Sequence, residues 1–275
     1  MDSVRRDPFS DMQAAGDPLL GPDDPAPYEI INPRGSASAA FLCDHASNKV
    51  PEALDGLGLP QDELDRHISW DIGAAEITRR LCTHFDAPGV LAGYSRLVID
   101  CNRKLDDEQS IVAVSDGTTI PANQHLSAAQ ADERADACFW PYHEACAAVL
   151  EGVEMRGVVP AVIMMHSFTP VMGIGERPWH IGVLWDRDGR LALPLMDHLQ
   201  RRGDLCVGDN EPYTASSPQG YTMPLHAARQ GRANVQIEIR QDLIDSDAGV
   251  DRWTDIMIDA FSAVLADDNL YRHEV

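Results

Sequence analysis

Two histidines, several carboxylates and a few arginines carry the chemistry legible in this chain. Cys43-Asp44-His45-Ala46-Ser47-Asn48 follows a short apolar run at 39–43, and His166-Ser167-Phe168 follows another at 161–165. Two imidazoles delivered at strand ends, together with one carboxylate, form a common catalytic zinc set that leaves a position open for water. Asp71, in Ser69-Trp70-Asp71-Ile72-Gly73, sits on or before a helix and supplies the candidate carboxylate. Either histidine alone would ordinarily do no more than hydrogen-bond a loop. Together with Asp71 and Glu238 they favour the reading of His45, Asp71 and His166 as ligands of zinc or another divalent cation.

Glu238 is the most unusual residue by pattern. In Val235-Gln236-Ile237-Glu238-Ile239-Arg240 the apolar side chains alternate, so Glu238 shares the opposite face with Gln236 and Arg240. A carboxylate inside a central strand is costly unless paired or working. Beside a metal it is the natural general base for a water. On an edge strand it would simply face water or pair with Arg240.

Arg96 precedes the apolar stretch 97–99, and Asp100-Cys101-Asn102-Arg103 follows it. A guanidinium fork beside an amide donor suits a carboxylate. A surface bridge from Arg103 to Asp100, Asp106 or Asp107 is the equal alternative. Arg177-Pro178-Trp179-His180 and Gly208-Asp209-Asn210-Glu211-Pro212-Tyr213 supply Arg177, His180 and Asn210 as pocket donors beside an aromatic wall. The same residues are ordinary turn formers. His226 is a further pocket candidate. His67, His84, His125, His143, His198 and His273 read as ordinary surface or helix residues.

The elements that must position these groups alternate in kind. Short apolar runs at 39–43, 90–92, 97–99, 161–165, 181–185, 205–207 and 235–239 read as strands, several of them buried on both faces. Between them lie helical patterns. Leu64, Ile68, Ile72, Ala75, Ile77 and Leu81 keep one spacing. Ser127-Ala128-Ala129-Gln130 has the capping-box form, and Pro141 suits a first turn. Trp253, Ile256, Met257, Ala260 and Val264 form a last apolar stripe. Strands alternating with helices argue for a three-layer α/β domain. Residues 1–37, rich in proline and aspartate, read as a flexible or loosely docked tail before a single catalytic domain at 38–275.

Composition narrows the partners. The chain has 275 residues, 44% of them hydrophobic, which is enough to build a core. Lys plus Arg count 22 against 44 Asp plus Glu, a formal charge of −22. Such a field repels nucleic acid and anionic membrane surfaces, so a small anionic ligand needs local arginines or a metal. No long apolar stretch predicts a membrane span, and no signal-peptide core is visible at the start. The six cysteines form no CxxC pair and read as free thiols. A cytoplasmic setting is therefore expected.

In order, DHASNKVP, SWDIGAAEI, YSRLVIDCNR, MMHSFTP and VQIEIRQDL resemble the N-formylglutamate amidohydrolase family, from about residue 38 to the last helix. The resemblance implies a three-layer αβα fold with a mixed, mostly parallel central sheet, of the phosphorylase/hydrolase-like or zinc exopeptidase-like kind. It implies metal-dependent hydrolysis of an amide next to a free carboxylate, in a small anionic N-acyl amino acid. His45 and His166 match the family's metal histidines, and Glu238 resembles its catalytic glutamate. Asn102 and Arg103 resemble the pair that holds the substrate carboxylate, and Arg96 resembles a group that steadies the oxyanion. The chain also departs from the pattern. Related zinc sites take a glutamate three residues after the first histidine, where this chain has Asn48, and Asp71 stands in for it. Asp44 and Ser47 replace the usual proline and glycine of the first motif. Two other functions stay open at this point. One is a covalent route through Cys43 or Ser47, which lacks a GxSxG elbow. The other is a non-catalytic metal- and carboxylate-binding module or sensor on the same fold.

Overall fold

The apolar runs at 39–43, 161–165, 181–184 and 235–239 become the buried central strands, and amphipathic stretches become helices laid over them. The computed structural model describes residues 19–173, 175–215 and 220–274. In chain order the strands are β1 (Tyr28–Ile31), β2 (Ala39–Cys43), β3 (Gly89–Ala92), β4 (Val114–Ser115), β5 (Thr118–Thr119), β6 (Ala161–Phe168), β7 (Val171–Met172), β8 (Gly175–Glu176), β9 (Ile181–Leu184), β10 (Val207–Asp209) and β11 (Asn234–Arg240). The helices are α1 (Gln61–Leu64), α2 (Ala74–Phe85), α3 (Ala128–Arg134), α4 (Trp140–Glu154), α5 (Ala192–Arg201), α6 (Thr222–His226) and α7 (Asp247–Val264).

Seven strands form one sheet in the order β1-β3-β2-β6-β11-β9-β10. β3, β2, β6 and β11 run parallel, while β11 meets β9 antiparallel and β1 meets β3 antiparallel. The sheet is thus mixed and mostly parallel. Helices α2, α5 and α7 cover one face, where Phe41, Ile163, Ile237, Leu195, Trp253 and Phe261 share a core. Helices α4 and α6 cover the other, where Leu42, Val90, Met164, Tyr142, Leu150 and Met223 pack together. Burying one such large apolar side chain contributes roughly 1.5–3 kcal/mol, so these two clusters hold the three layers together.

Several expected elements differ in detail. Residues 28–31, expected within a tail, pair with β3 as an edge strand. Residues 1–18 of that stretch lie outside the described residues. Residues 97–99 form a turn, not a strand. They are apolar because Leu97, Val98 and Ile99 plug a satellite core with Leu57, Ile120 and Phe139 beneath the connecting loops. The pattern from Leu64 to Leu81 is not one helix: α1 stops at Leu64 and α2 starts at Ala74. Gly73 breaks it, with φ +79 and a backbone so close to Ile244 that a Cβ would lie 2.3 Å from the Ile244 carbonyl oxygen. Asp71 lies in that break. The strand expected at 205–207 is shifted to Val207–Asp209, and β6 runs on through Phe168 so that His166 lies inside it.

Candidate active site

Register places the chemistry. β11 pairs with β6 so that Glu238 is opposite His166, Gln236 opposite Met164 and Asn234 opposite Val162. Val235, Ile237 and Ile239 point into the core under α7, so the alternation sends Asn234, Gln236 and Glu238 to the other face. That face carries a cavity of about 640 Å³, lined among others by His45, Asp71, Arg96, Asp100, Asn102, Arg103, His166 and Glu238.

Three loops hold the first of these groups through their backbones. The Asp71 N–H donates to the His45 carbonyl at 2.9 Å, the Arg96 N–H to Ser69 at 3.1 Å and the Ser95 N–H to Lys49 at 2.8 Å. The segments after β2, before α2 and after β3 are thereby laced together at the ends of neighbouring strands.

The side chains then converge. His166 Nδ1 donates to Asp71 Oδ2 at 2.8 Å, and His45 Nδ1 approaches the same oxygen at 3.3 Å. The two rings lie 5.0 Å apart at 67°. Behind each ring stands a second carboxylate. His45 Nε2 donates to Asp100 Oδ1 at 2.8 Å, and His166 Nε2 faces Asp44 Oδ2 across 3.5 Å. Asp44 is itself held by the Tyr142 hydroxyl at 2.6 Å and the Thr222 hydroxyl at 2.9 Å. Arg96 donates to Asp100 at 2.6 Å and lies 3.7 Å from Asp71.

This donor set fits a divalent cation. His45, Asp71 and His166 offer ligand atoms all within 4.8 Å of one another. Each histidine turns Nδ1 to the common point; His45 Nε2 is fixed by its hydrogen bond to Asp100, while His166 Nε2 faces the Asp44 carboxylate at ion-pair distance without a hydrogen bond. The electrostatics agree. Burial presses His166 and His45 towards neutrality, and Arg96 adds to this at His45, yet the carboxylates outweigh it and both stay above the usual histidine range. Burial would raise Asp71, but the His45 and His166 charges and hydrogen bonds hold it far below the carboxylate range. A pocket that draws protons onto both histidines is one that a cation would occupy by displacing them.

Glu238 differs from these. Its Oε1 accepts from Gln236 Nε2 at 2.8 Å, whereas Oε2 is buried with no hydrogen-bond partner among the described residues. Burial first, and the Asp71 charge second, push it up to about 6 against the opposing pull of His166. A base poised near neutrality is what proton transfer needs. Cys43 is fully buried and its thiol is pushed far up by burial and by the charges of Asp71 and Asp44. The Ser47 hydroxyl accepts from the Lys49 backbone at 3.1 Å. Neither is set up as a nucleophile.

The other expected residues divide. Asn102 and Arg103 line the cavity. Asn102 Oδ1 accepts from the N–H groups of Tyr221 at 2.8 Å and Thr222 at 3.1 Å, anchoring the start of α6, and Arg103 Nε lies 4.0 Å from Asp100. Arg177, His180, Asn210 and His226 are not among the residues that line this cavity. Arg177 stacks 4.9 Å from the centre of the Tyr213 ring and so braces the cavity wall from behind. His180 Nδ1 accepts from the Cys206 N–H at 3.1 Å, and Asn210 Oδ1 accepts from the Trp185 N–H at 3.1 Å. His226 is buried against His143, with His143 Nδ1 and His226 Nε2 3.0 Å apart. His143 Nε2 donates to the Cys101 carbonyl at 2.9 Å, so its Nδ1 accepts from His226. Burial first, and His143 second, push His226 down to about 4, so it stays neutral. His143, expected to be an ordinary helix residue, is thus a buried structural partner, and His67 lines the cavity. Asn48 points away, donating to Asp65 at 3.0 Å. Asp44 and Asp100, both beside strand-end motifs, carry no sign in residue order of their pairing with the histidines.

Comparison with known proteins follows the same line. The family model of N-formylglutamate amidohydrolase matches residues 38–245. The crystal structure of a gene product from Agrobacterium tumefaciens is 31% identical, with 90% of this chain and 98% of that one covered at a TM-score of 0.87. N-formylglutamate amidohydrolase from Ralstonia eutropha JMP134 is 20% identical over 88% of this chain and 98% of that one, with a TM-score of 0.64, a likeness of fold. No curated protein matches the chain. No described helix is long and apolar enough to cross a membrane. With its ordered motifs, its mixed sheet and a family match running from before the first histidine to beyond Glu238, the chain belongs to the N-formylglutamate amidohydrolase family.

Proposed function

We propose that this chain is a metal-dependent amidohydrolase that cleaves the acyl-amide bond of an N-acyl amino acid related to N-formylglutamate. The observation that carries the reading is the pairing of two Nδ1 atoms on one Asp71 oxygen with a buried, unpartnered Glu238 oxygen in the same cavity. Zinc or another divalent cation held by His45, Asp71 and His166 would supply Lewis-acid activation of water and of the scissile carbonyl. Glu238 takes a proton from the attacking water, whose oxygen bonds to the acyl carbon, and passes that proton to the amine as the C–N bond breaks. Arg96 lines the cavity beside these groups and meets the negative charge that develops on the acyl oxygen. Arg103 and Asn102 hold the free carboxylate and so fix the amide over the reacting water. The catalytic unit takes in residues 38–275 together with β1 at the sheet's edge, in a cytoplasmic setting that the absence of a disulfide among the described cysteines supports.

Chelation tests the reading. Dialysis against a strong chelator should abolish hydrolysis of N-formyl-L-glutamate and related N-acyl amino acids, and one equivalent of zinc should restore it. Full activity in the chelator would remove the metal from the reaction. Stoichiometric metal without turnover on any such substrate would favour a binding module instead. The shell behind the ligands has its own test. Asp44→Asn should weaken metal binding roughly 10- to 100-fold in a chromophoric-chelator competition, because His166 loses the carboxylate that orients it. Unchanged affinity would take Asp44 out of that role.

A further inference from the structure

The cavity does not end at the reacting groups. Asn234, Gln236 and Glu238 all line it and all project from one face of β11. Four residues of extended strand span roughly 13 Å, so the floor of the groove continues about that far beyond Glu238. Arg96, Asn102 and Arg103, which follow β3, line the same cavity from across β6. Cavities of roughly 300–1,000 Å³ bury ligands much larger than a formyl group.

The far end carries a charge. β9 is antiparallel to β11, with Gly182 opposite Glu238 and Leu184 opposite Gln236. The ladder ends at Leu184, and Arg187, three residues further on, lines the cavity. Arg229 lies in the short turn 228–230 just before β11 and lines the cavity too. Both arginines are exposed, and neither guanidinium makes a hydrogen bond or ion pair among the described residues. Asp186 lies at the same end and pairs with neither. In a chain of net charge −22, two uncommitted guanidiniums lining one cavity favour an anionic ligand there.

Resting on the hydrolase reading, we infer that the preferred substrate is an N-acyl amino acid with a long, ω-carboxylated acyl group. The amino acid carboxylate lies at Arg103, the amide at Glu238, and the acyl chain runs over Gln236 and Asn234. The distal carboxylate is met by Arg187 and Arg229. Hydrolysis then adds water across the C–N bond and yields a dicarboxylate and a free amino acid.

The test measures binding separately from turnover. Glu238→Gln protein with its metal is titrated calorimetrically with N-formyl-, N-succinyl-, N-adipoyl- and N-suberoyl-glutamate. Affinity should rise along the series by at least about tenfold, and Arg187→Ala/Arg229→Ala in the same background should erase most of that rise while leaving the N-formyl compound unchanged. Equal or tighter binding of the N-formyl compound would overturn the inference, as would a rise that survives loss of both arginines. Turnover of the same series by the unaltered enzyme is scored separately. Tight, arginine-dependent binding without hydrolysis would refute the hydrolase reading and leave the groove's assignment standing.

Discussion

Glu238→Gln should lower kcat/KM for N-acyl amino acid hydrolysis by about 10²–10⁴-fold while the protein keeps its metal. The amide preserves shape and can still bond Gln236, but it cannot take a proton from water. Because the working form is the carboxylate, kcat/KM of the metal-loaded enzyme should fall on the acid side as Glu238 takes up its proton, at a pH below the value of about 6 that burial sets in the metal-free pocket, because the cation pulls it down. The same substitution should stabilise the metal-free protein. Glu238 binds its proton more tightly when folded, about 6, than at its ordinary 4.5. Its stabilising contribution is therefore fully present below 4.5 and lost as pH rises through about 6. Glutamine escapes that loss, which amounts to about 2 kcal/mol at neutral pH. Urea unfolding of the two metal-free proteins should show little difference near pH 5 and a clear advantage for the variant at pH 8. A variant that is fully active, or no more stable at pH 8 than at pH 5 relative to its parent, would show that Glu238 is an ordinary structural carboxylate.

Gly182→Ala should destabilise the fold by about 3 kcal/mol or more and take activity with it. Gly182 lies on β9 directly opposite Glu238, and a Cβ there would sit 1.9 Å from the Glu211 carbonyl oxygen and 3.4 Å from the Glu238 Cβ. The obstacle is backbone, so no rotamer change relieves it. Either the loop that carries Tyr213 lifts from the cavity or β9 shifts against the catalytic strand. Gly175→Ala is the matched control, since its Cβ would meet nothing closer than the Met172 carbonyl oxygen at 3.5 Å. It should stay within about 0.5 kcal/mol of the parent. Thermal unfolding of both variants decides the matter, and a Gly182→Ala protein as stable as the control would show that the loop has room to move.

Much of this was legible from residue order alone. β2, β6, β9 and β11 are the sheet's centre, and burial on both faces makes such strands read as unbroken apolar runs. The alternation around Glu238 likewise gave its face. The runs at 97–99 and 64–81 misled because apolarity reports burial rather than conformation. One fills a satellite core as a turn, and the other is cut by a glycine whose reason, Ile244, lies far along the chain. Arg177, His180, Asn210 and His226 could not be sorted by type, since a donor that braces a wall and a donor that faces a ligand look alike in sequence. Asp44 and Asp100 acquire their meaning only once each imidazole is turned, with one nitrogen to the centre and the other to a carboxylate.

The position of β11 has a further consequence for biosynthesis. It is the last strand in order among the described residues, yet it fills the slot between β6 and β9. Until about residue 240 leaves the ribosome, both neighbours present open ladders of unpaired amides and carbonyls, and such edges invite pairing with other chains. Nascent or C-terminally shortened forms should therefore fail by aggregating, well before any question of catalysis arises.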